Sequence, residues 1–81
     1  MSHASFTIVS DTANHLLIRD EGPWDKYPTI TNDADWVVSQ LWTRLFGRML
    51  LYIDSNGDID QLLVRNGVFV GFRHPSKEEI Q

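Results

Sequence analysis

The stretch "RMLLYIDSNGDIDQLLVRNGVFVGF", residues 48–72, decides the fold because it holds three strand-like segments separated by two Asn-Gly pairs. Asn-Gly is the strongest short-range signal for a β-hairpin, since both central residues of a type I′ turn need a positive φ. Turns at Asn56-Gly57 and Asn66-Gly67 therefore predict a three-stranded antiparallel meander. Its strands are expected at roughly residues 48–55, 58–65 and 68–73.

Two-residue turns fix the register of the meander, so the side chains on each face can be predicted. The register places Tyr52 opposite Gln61 and Asp60 opposite Arg73. One face then carries Leu50, Tyr52, Leu63, Val70 and Phe72, and the other carries Met49, Leu51, Ile53, Leu62, Val64 and Phe69. A solvated sheet alternates apolar and polar side chains. Because both faces here are apolar, both need a cover.

One cover is an amphipathic helix that the pattern predicts over residues 31–47, "TNDADWVVSQLWTRLFG". Thr31 or Asn32 suits the N-cap, and Gly47 suits the C-terminal end. At about 100° per residue, one stripe of the helix carries its apolar side chains, namely Ala34, Val37, Val38, Leu41, Trp42 and Leu45. Trp36 is the exception, because it projects from the polar side, nearly opposite the stripe. The helix is expected to pack on one face of the meander.

Two further strands precede the helix, "SFTIVS" at residues 5–10 and "HLLIRD" at residues 15–20. The intervening "DTAN" suits a hairpin turn. The predicted order is β-β-α-β-β-β in a single small α+β domain over residues 1–81, with every strand able to pair antiparallel. The tail from His74 is expected to fray or to begin a short helix, because Ser76 and Glu79 have capping-box spacing.

Composition limits the function classes. The 81 residues contain no cysteine, which excludes disulfides, thiolate chemistry and cysteine-based zinc sites. The formal net charge is −4 and the seven lysines and arginines are scattered, so we expect no direct binding of nucleic acid. No apolar run approaches the length of a membrane span, and no signal-peptide pattern is present. We therefore expect a soluble, cytoplasmic domain that does not bind membranes.

The segment "DSNGDID", which begins at Asp54, matches part of the template for a calcium-binding EF-hand loop. Asp54, Asn56 and Asp58 occupy the first, third and fifth ligand positions of that template. The glycine has moved to the fourth position, the sixth is Ile59, and the twelfth, which needs a bidentate glutamate, is Arg65. Because a hairpin turn accounts for every residue, we interpret the segment as a turn without a metal.

The linker "GPWDKYPTITND", residues 22–33, has more aromatic surface than a connector needs. Trp24 and Tyr27 either fold back to plug one end of the small core or form a contact surface beside Trp36. Small domains need buried area, which favours the plug. Tryptophan and tyrosine are enriched in binding hot spots, which keeps the contact surface as the alternative.

The predicted function follows from the meander face that the helix leaves uncovered. Large exposed apolar patches mark interaction sites, and closed two-fold dimers are the commonest oligomers. We therefore expect a non-enzymatic protein–protein interaction module without a cofactor, acting as a homodimer or as an adaptor, regulator or inhibitor of another protein. The candidate contact residues are the aromatics Trp24, Tyr27, Trp36, Tyr52 and Phe72.

A small-ligand or metal-dependent enzyme is the alternative, with Asp20, Glu21 and Asp25 as its acidic residues. No motif supports it, because the three histidines share no ligand spacing and the serines lack a nucleophile-elbow context. A concave pocket with convergent polar groups would favour the enzyme, and a flat apolar face would favour the interaction module.

Overall fold

The computed structural model of this chain describes residues 6–20, 29–54 and 56–80. Its elements in chain order are β1 (Phe6–Asp11), β2 (His15–Asp20), α1 (Thr29–Leu41), a 3₁₀ turn (Trp42–Arg44), β3 (Met49–Ile53), β4 (Ile59–Arg65), β5 (Val68–Arg73) and α2 (Lys77–Ile80). The predicted α+β class, with a helix packed against one sheet, is confirmed.

Five strands form a single sheet in the order β1-β2-β3-β4-β5. The pairs β1–β2, β3–β4 and β4–β5 are antiparallel, whereas β2 and β3 run parallel. The prediction of a fully antiparallel sheet is therefore wrong at its centre. The physical reason is the connection: α1 carries the chain back along the sheet, so β3 starts at the same end as β2, whereas tight turns join antiparallel neighbours.

α1 begins and ends earlier than the sequence pattern predicts. Its first residue is Thr29, which precedes the predicted cap at Thr31 or Asn32 and directly follows a proline in the sequence. The α-helix stops at Leu41 and tightens into the 3₁₀ turn, so the predicted α-helical conformation does not extend over residues 42–47.

The core lies between α1 and one face of the sheet. Its buried side chains come from both layers: Ala34, Val37, Val38, Leu41 and Leu45 from the helical side, and Leu16, Ile18, Leu50, Tyr52 and Leu62 from the strands. Burying one large aliphatic side chain contributes roughly 1.5–3 kcal/mol. The predicted apolar stripe is confirmed except at Trp42, which is 47 % exposed.

The two Asn-Gly turns of the meander differ in backbone conformation. Asn66 and Gly67 have φ values of 55° and 79°, the two positive angles of the predicted type I′ turn. At the first turn Gly57 has a φ of 87°, but Asn56 has no positive φ. The N–H of Asp54 donates a hydrogen bond across that loop at 2.9 Å, and this bond closes a loop of three residues instead of two.

Each irregularity of the meander moves the predicted register by one residue. The longer first turn pairs Tyr52 with Asp60 instead of Gln61. A β-bulge in β5, whose extra residue is Val70, pairs Arg73 with Gln61 instead of Asp60. A bulge leaves its extra residue outside the ladder, so everything beyond it shifts.

The C-terminal tail lies over part of the face that α1 does not cover. Alternation along the strands places Leu51, Gln61 and Arg73 on that face. The Arg73 guanidinium donates to the Gln61 side chain at 2.9 Å and forms an ion pair with Glu79 of α2. Leu51 is fully buried there. The face that the sequence pattern leaves uncovered is thus partly covered by the chain itself.

The tail begins a short helix, one of the two outcomes expected for it. The Glu79 side chain accepts a hydrogen bond of 2.7 Å from the N–H of Ser76, as in a capping box. The hydrogen bond from Arg73 and the one from Ser76 stabilise the carboxylate and hold the pKa of Glu79 below its usual range. His74, just before the helix, lies 3.1 Å from the carboxylate of Asp60.

Candidate protein-binding cleft

The chain reverses direction directly after the 3₁₀ turn, and this reversal presents an aromatic side chain. Phe46 and Gly47 have φ values of 52° and 81°, both in the left-handed region. Glycine adopts this region freely, whereas it costs a bulky residue roughly 1–2 kcal/mol. The Phe46 side chain is 86 % exposed, so packing against its own chain offsets little of that cost. Strain at an exposed residue is a reason to look for function there.

Arg48 holds this reversal in place. Its guanidinium donates to three carbonyls, at 2.9 Å to Leu45, 2.6 Å to Arg44 and 2.8 Å to Thr12. The guanidinium also pairs with Asp11, and this hydrogen bond holds the pKa of the Asp11 carboxyl below its usual range. The first two carbonyls belong to the end of the helical segment, where a cation is favoured. Arg48 therefore ties the helix end to the β1–β2 turn.

The Trp42 ring lies against Gly67 at the tip of the β4–β5 hairpin. A Cβ atom on Gly67 would lie 3.0 Å from Cε2 and 3.1 Å from Cδ2 of Trp42, closer than an ordinary contact. The glycine therefore leaves room for the ring. Trp42 connects the helix end to the hairpin tip while part of its own surface stays exposed.

The sheet divides next to these two aromatics. The β3–β4 ladder ends at Leu51 and Gln61, whereas β4 continues to Arg65 beside β5. β3 pairs with β2 from Met49 onward. The strands form a fork, and a cleft of about 330 Å³ lies in its opening. This volume is at the lower end of the range for ligand pockets.

Most of the residues that line the cleft have apolar side chains, although polar atoms contribute the larger part of its exposed surface. Trp42 and Phe46 come from the helix end, Leu50 from β3, and Leu62 and Val64 from β4. Aromatic side chains carry much of the energy in protein interfaces, above all when they flank an apolar pocket. The arrangement combines aromatic and aliphatic side chains with exposed polar atoms, so it suits a segment that offers both apolar side chains and hydrogen-bonding groups.

The charge around the cleft is opposite to that of the chain as a whole. Arg48, which is paired with Asp11, is in the lining, and among the described residues no acidic side chain is. Arg65 directly follows the lining residue Val64, and Arg44 lies 4.0 Å from Asp11 with about half of its side chain exposed. The chain carries a net charge of −4. A local excess of arginine attracts a ligand with a carboxylate.

The predicted contact residues lie in different environments. Trp36, expected on the polar side of the helix, instead packs edge-to-face on Phe6 of β1 at 5.9 Å between ring centroids and is partly buried. Tyr52 is 4 % exposed and belongs to the core, so it is not at the surface. Phe72 is partly exposed on β5, at the opposite edge of the sheet, and packs on Phe69 at 5.0 Å. These side chains do not form one surface.

Other candidates of the sequence analysis lie outside the described residues. Trp24 and Tyr27 do, and with them the choice between a core plug and a contact surface. Glu21 and Asp25 of the alternative acidic site also do, whereas Asp20 is the last residue of β2. The acidic site and the linker therefore stay predictions.

Sequence reasoning missed Phe46 and misplaced Trp42. The helical-wheel angle places Trp42 in the buried stripe because it assumes an α-helix that continues to Gly47. A 3₁₀ turn has about three residues per turn, so Trp42 rotates out of the stripe, whereas Leu45 after the turn is again in the core. The available signal is the position of Phe46 itself, a large aromatic directly before the glycine that ends the predicted helix.

The described residues give little support to catalysis. Ser10 Oγ lies 3.3 Å from Nε2 of His15, which is a pairing of a nucleophile with a base. The other ring nitrogen, Nδ1, is buried and has no hydrogen-bond partner among the described residues, so these residues do not supply the orienting group of a catalytic triad. Within residues 6–20, 29–54 and 56–80, no three His, Cys, Asp or Glu side chains are grouped as metal ligands.

Comparison with protein-family models, with curated proteins and with solved structures finds no match to this chain. Among the helices that the structure describes, none combines the length and the apolar character that crossing a bilayer requires. The candidate site therefore rests on the geometry of the cleft.

Proposed function

We propose that this chain is a small non-enzymatic protein–protein interaction module that binds a segment of another protein in the cleft. The observation that carries the proposal is Phe46, a strongly exposed aromatic side chain that a left-handed backbone holds at a cleft lined by several apolar side chains. Aromatic anchors beside a pocket are the usual centre of a binding hot spot. A role as adaptor, regulator or inhibitor then follows from which protein occupies the cleft.

The energetics of the reversal favour a binding role. Ordering a side chain at an interface costs about 0.5–1.5 kcal/mol, and the Arg48 hydrogen bonds fix the backbone on both sides of Phe46 before any partner arrives. Burying an exposed phenylalanine contributes roughly 1.5–3 kcal/mol. The contacts of Arg48 stabilise the strained backbone at Phe46 in the free chain, and a partner would add the burial of the ring.

The polar groups of the cleft support binding rather than catalysis. Arg48 and Gln61 are the polar side chains in the lining. The Arg48 donors are engaged by main-chain carbonyls and by Asp11, and an arginine or a glutamine is neither a nucleophile nor a general base at neutral pH. Among the described residues that line the cleft there is no acid–base pair.

A second copy of the chain is the other partner that the sequence predicts. That prediction rests on a meander face without a cover, and the tail lies over part of that face through Arg73 and Glu79. Analytical ultracentrifugation at micromolar concentration separates the two partners. A monomer near 9.3 kDa favours another protein. A dimer that Phe46→Asn leaves intact would favour the meander face.

The test of the cleft compares Phe46→Asn with Val9→Ala. Asparagine tolerates positive φ, so Phe46→Asn removes the ring without adding strain. Val9 is 46 % exposed on the edge strand β1 and serves as the matched control. The partner is isolated by co-purification with the native chain, purified, and titrated against each variant by isothermal calorimetry.

We expect Phe46→Asn to raise the Kd at least about tenfold, which is about 1.4 kcal/mol. Its melting temperature should be unchanged or higher, because the strain at that position is relieved. Val9→Ala should keep the wild-type Kd. Equal Kd values for wild type and Phe46→Asn would refute the cleft as the binding site.

A further inference from the structure

β4 has an open main-chain edge along the cleft. Arg65 and Val68 close the two-residue turn of the β4–β5 hairpin as a hydrogen-bonded pair. Because the direction of hydrogen bonding alternates along an antiparallel strand, Val64 points its N–H and C=O away from β5. That direction is the opening of the fork, since the β3–β4 ladder ends at Gln61 and does not reach Val64.

We propose that the cleft takes its occupant as an extended strand that pairs with the open edge of β4 at Val64, and that this occupant is a short apolar peptide segment carrying a carboxylate. The inference rests on the proposed function and names the conformation and the chemistry of the partner. In this mode of recognition, main-chain hydrogen bonds supply affinity and alternate side chains supply selectivity.

The dimensions of the cleft suit a short segment. The part of β4 from Leu62 to Arg65 is about 13 Å long at roughly 3.3 Å per residue. It therefore accommodates about four residues of an extended partner. Because side chains of a strand alternate, every second residue of the segment faces Trp42 and Phe46.

The carboxylate follows from the arginines around the fork. Arg65 is exposed and forms no ion pair within the described residues. It stands one residue beyond the point at which Val64 would pair with the segment. A carboxylate near the end of the segment would reach the Arg65 guanidinium, which has no ion-pair partner in the part of the chain that the structure describes, and such charge-assisted hydrogen bonds are the strong ones.

A second copy of this chain is a poorer occupant because both of its edge strands are irregular. β1 carries a bulge at Val9, and β5 carries one at Val70. Bulges interrupt the hydrogen-bond ladder and keep edge strands from pairing with other chains. A regular segment from another protein can pair over more residues.

The probe is a phage-displayed library of random ten-residue peptides, selected on the wild-type protein. Selected peptides are synthesised, and their Kd values for wild type and Phe46→Asn are measured by fluorescence anisotropy.

Amide hydrogen exchange, followed by NMR, is recorded with and without peptide. We expect the exchange of the Val64 amide to slow at least about tenfold, whereas amides of β2 keep their rates. N-methylation of alternate peptide residues should raise the Kd at least about tenfold.

The charge is tested with Arg65→Glu and its control Lys77→Glu, which alters an exposed residue of α2. The selected peptides should contain an aspartate or glutamate. Arg65→Glu should raise their Kd about tenfold, and Lys77→Glu should not change it. Equal effects of the two substitutions would overturn the assignment of the carboxylate to Arg65.

The remaining outcomes separate this inference from the proposed function. Peptides that bind wild type but not Phe46→Asn, without protecting the Val64 amide, would overturn strand pairing and leave the proposed function standing. Peptides that bind both proteins equally would overturn the cleft itself. Self-association that Phe46→Asn abolishes would identify a second copy as the occupant and overturn the peptide assignment.

Discussion

The two Asn-Gly turns of the meander connect strands with the same dipeptide and adopt different backbones. Asn66 and Gly67 both have positive φ, and the loop contains two residues. Gly57 also has a positive φ, Asn56 does not, and the loop contains three residues. One sequence signal thus predicts the existence of both turns but the conformation of only one.

The residue before each turn explains the difference. The carboxylate of Asp54, before the first turn, accepts hydrogen bonds from the N–H groups of Asn56 at 2.9 Å and Asp58 at 3.0 Å. Aspartate bonds readily to nearby main chain in this way, and the longer loop brings both N–H groups to one oxygen. The side chain of Arg65, before the second turn, has no hydrogen-bond acceptor and cannot bind main-chain N–H groups in this way. The dipeptide sets the sign of φ at the glycine, and the preceding residue sets the loop length.

Gly67→Val is expected to be the most destabilising change in either turn. A β-branched residue resists the φ of 79°, and its Cβ would lie 3.0 Å from the Trp42 ring. Strain and displacement of the ring together should lower the free energy of unfolding by about 3 kcal/mol. Urea denaturation followed by tryptophan fluorescence measures this loss.

The control for Gly67→Val is the same substitution in a Trp42→Ala background. The loss should shrink by about 1 kcal/mol there, because only the backbone strain remains. A loss that is unchanged by Trp42→Ala would show that the ring does not contribute to the effect. A loss below about 1 kcal/mol in the wild-type background would contradict the type I′ conformation itself.

Gly57→Val is expected to have the next largest effect. Its φ of 87° is as unfavourable for valine as that of Gly67, but nothing lies within 4 Å of the added Cβ. The expected loss is therefore the strain alone, about 1–2 kcal/mol. Chemical denaturation of both valine variants under one set of conditions gives the comparison. Equal losses of unfolding free energy at the two glycines would show that the Trp42 contact does not contribute to the effect of Gly67→Val.

The fold was predictable where neighbouring residues in sequence decide it. The meander, the apolar stripe and the helix-bearing α+β architecture depend on local periodicity and turn residues, and they are present. The parallel pairing of β2 with β3 depends instead on where α1 returns the chain, and "HLLIRD" has the same apolar pattern for either strand direction. The bulge at Val70 has a local signal that the register prediction did not use, because Gly71 is a glycine inside a strand and such glycines often mark a bulge.

The candidate site was less predictable because it depends on where elements end. Trp42 and Phe46 belong to the cleft only because the α-helix stops at Leu41 and the chain reverses at Gly47. The fork depends on the last pair of the β3–β4 ladder, which the three-residue first turn shifts. Small errors in the predicted ends of helices and strands therefore change the predicted core residues little, but they change which residues are predicted to form the site.

Asp54→Ala is expected to have a smaller effect than either valine substitution. It removes the acceptor of two main-chain hydrogen bonds in an exposed loop, which lowers the free energy of unfolding by about 1 kcal/mol. Asp54→Asn keeps a side-chain oxygen and should lose less. Thermal unfolding followed by circular dichroism distinguishes the two. An Asp54→Ala variant as stable as wild type would contradict the explanation of the loop length.

Added calcium is expected to have the smallest effect, with no change in the melting temperature. The Asp54 oxygen that would be the first ligand already accepts two main-chain N–H groups, and the twelfth position of the loop template is Arg65 instead of a glutamate. A ligand specific for the native state stabilises it by about 2.7 kcal/mol at a hundredfold excess over its Kd. At millimolar calcium that excess corresponds to a Kd of about 10 µM, so thermal unfolding in millimolar calcium and in EDTA would detect binding of that strength. Asp54→Ala serves as the control, because it should respond to calcium as wild type does. A rise in melting temperature that EDTA reverses and that Asp54→Ala lacks would show that the first turn binds calcium. Metal coordination, instead of the hydrogen bonds of Asp54, would then explain why this loop contains three residues.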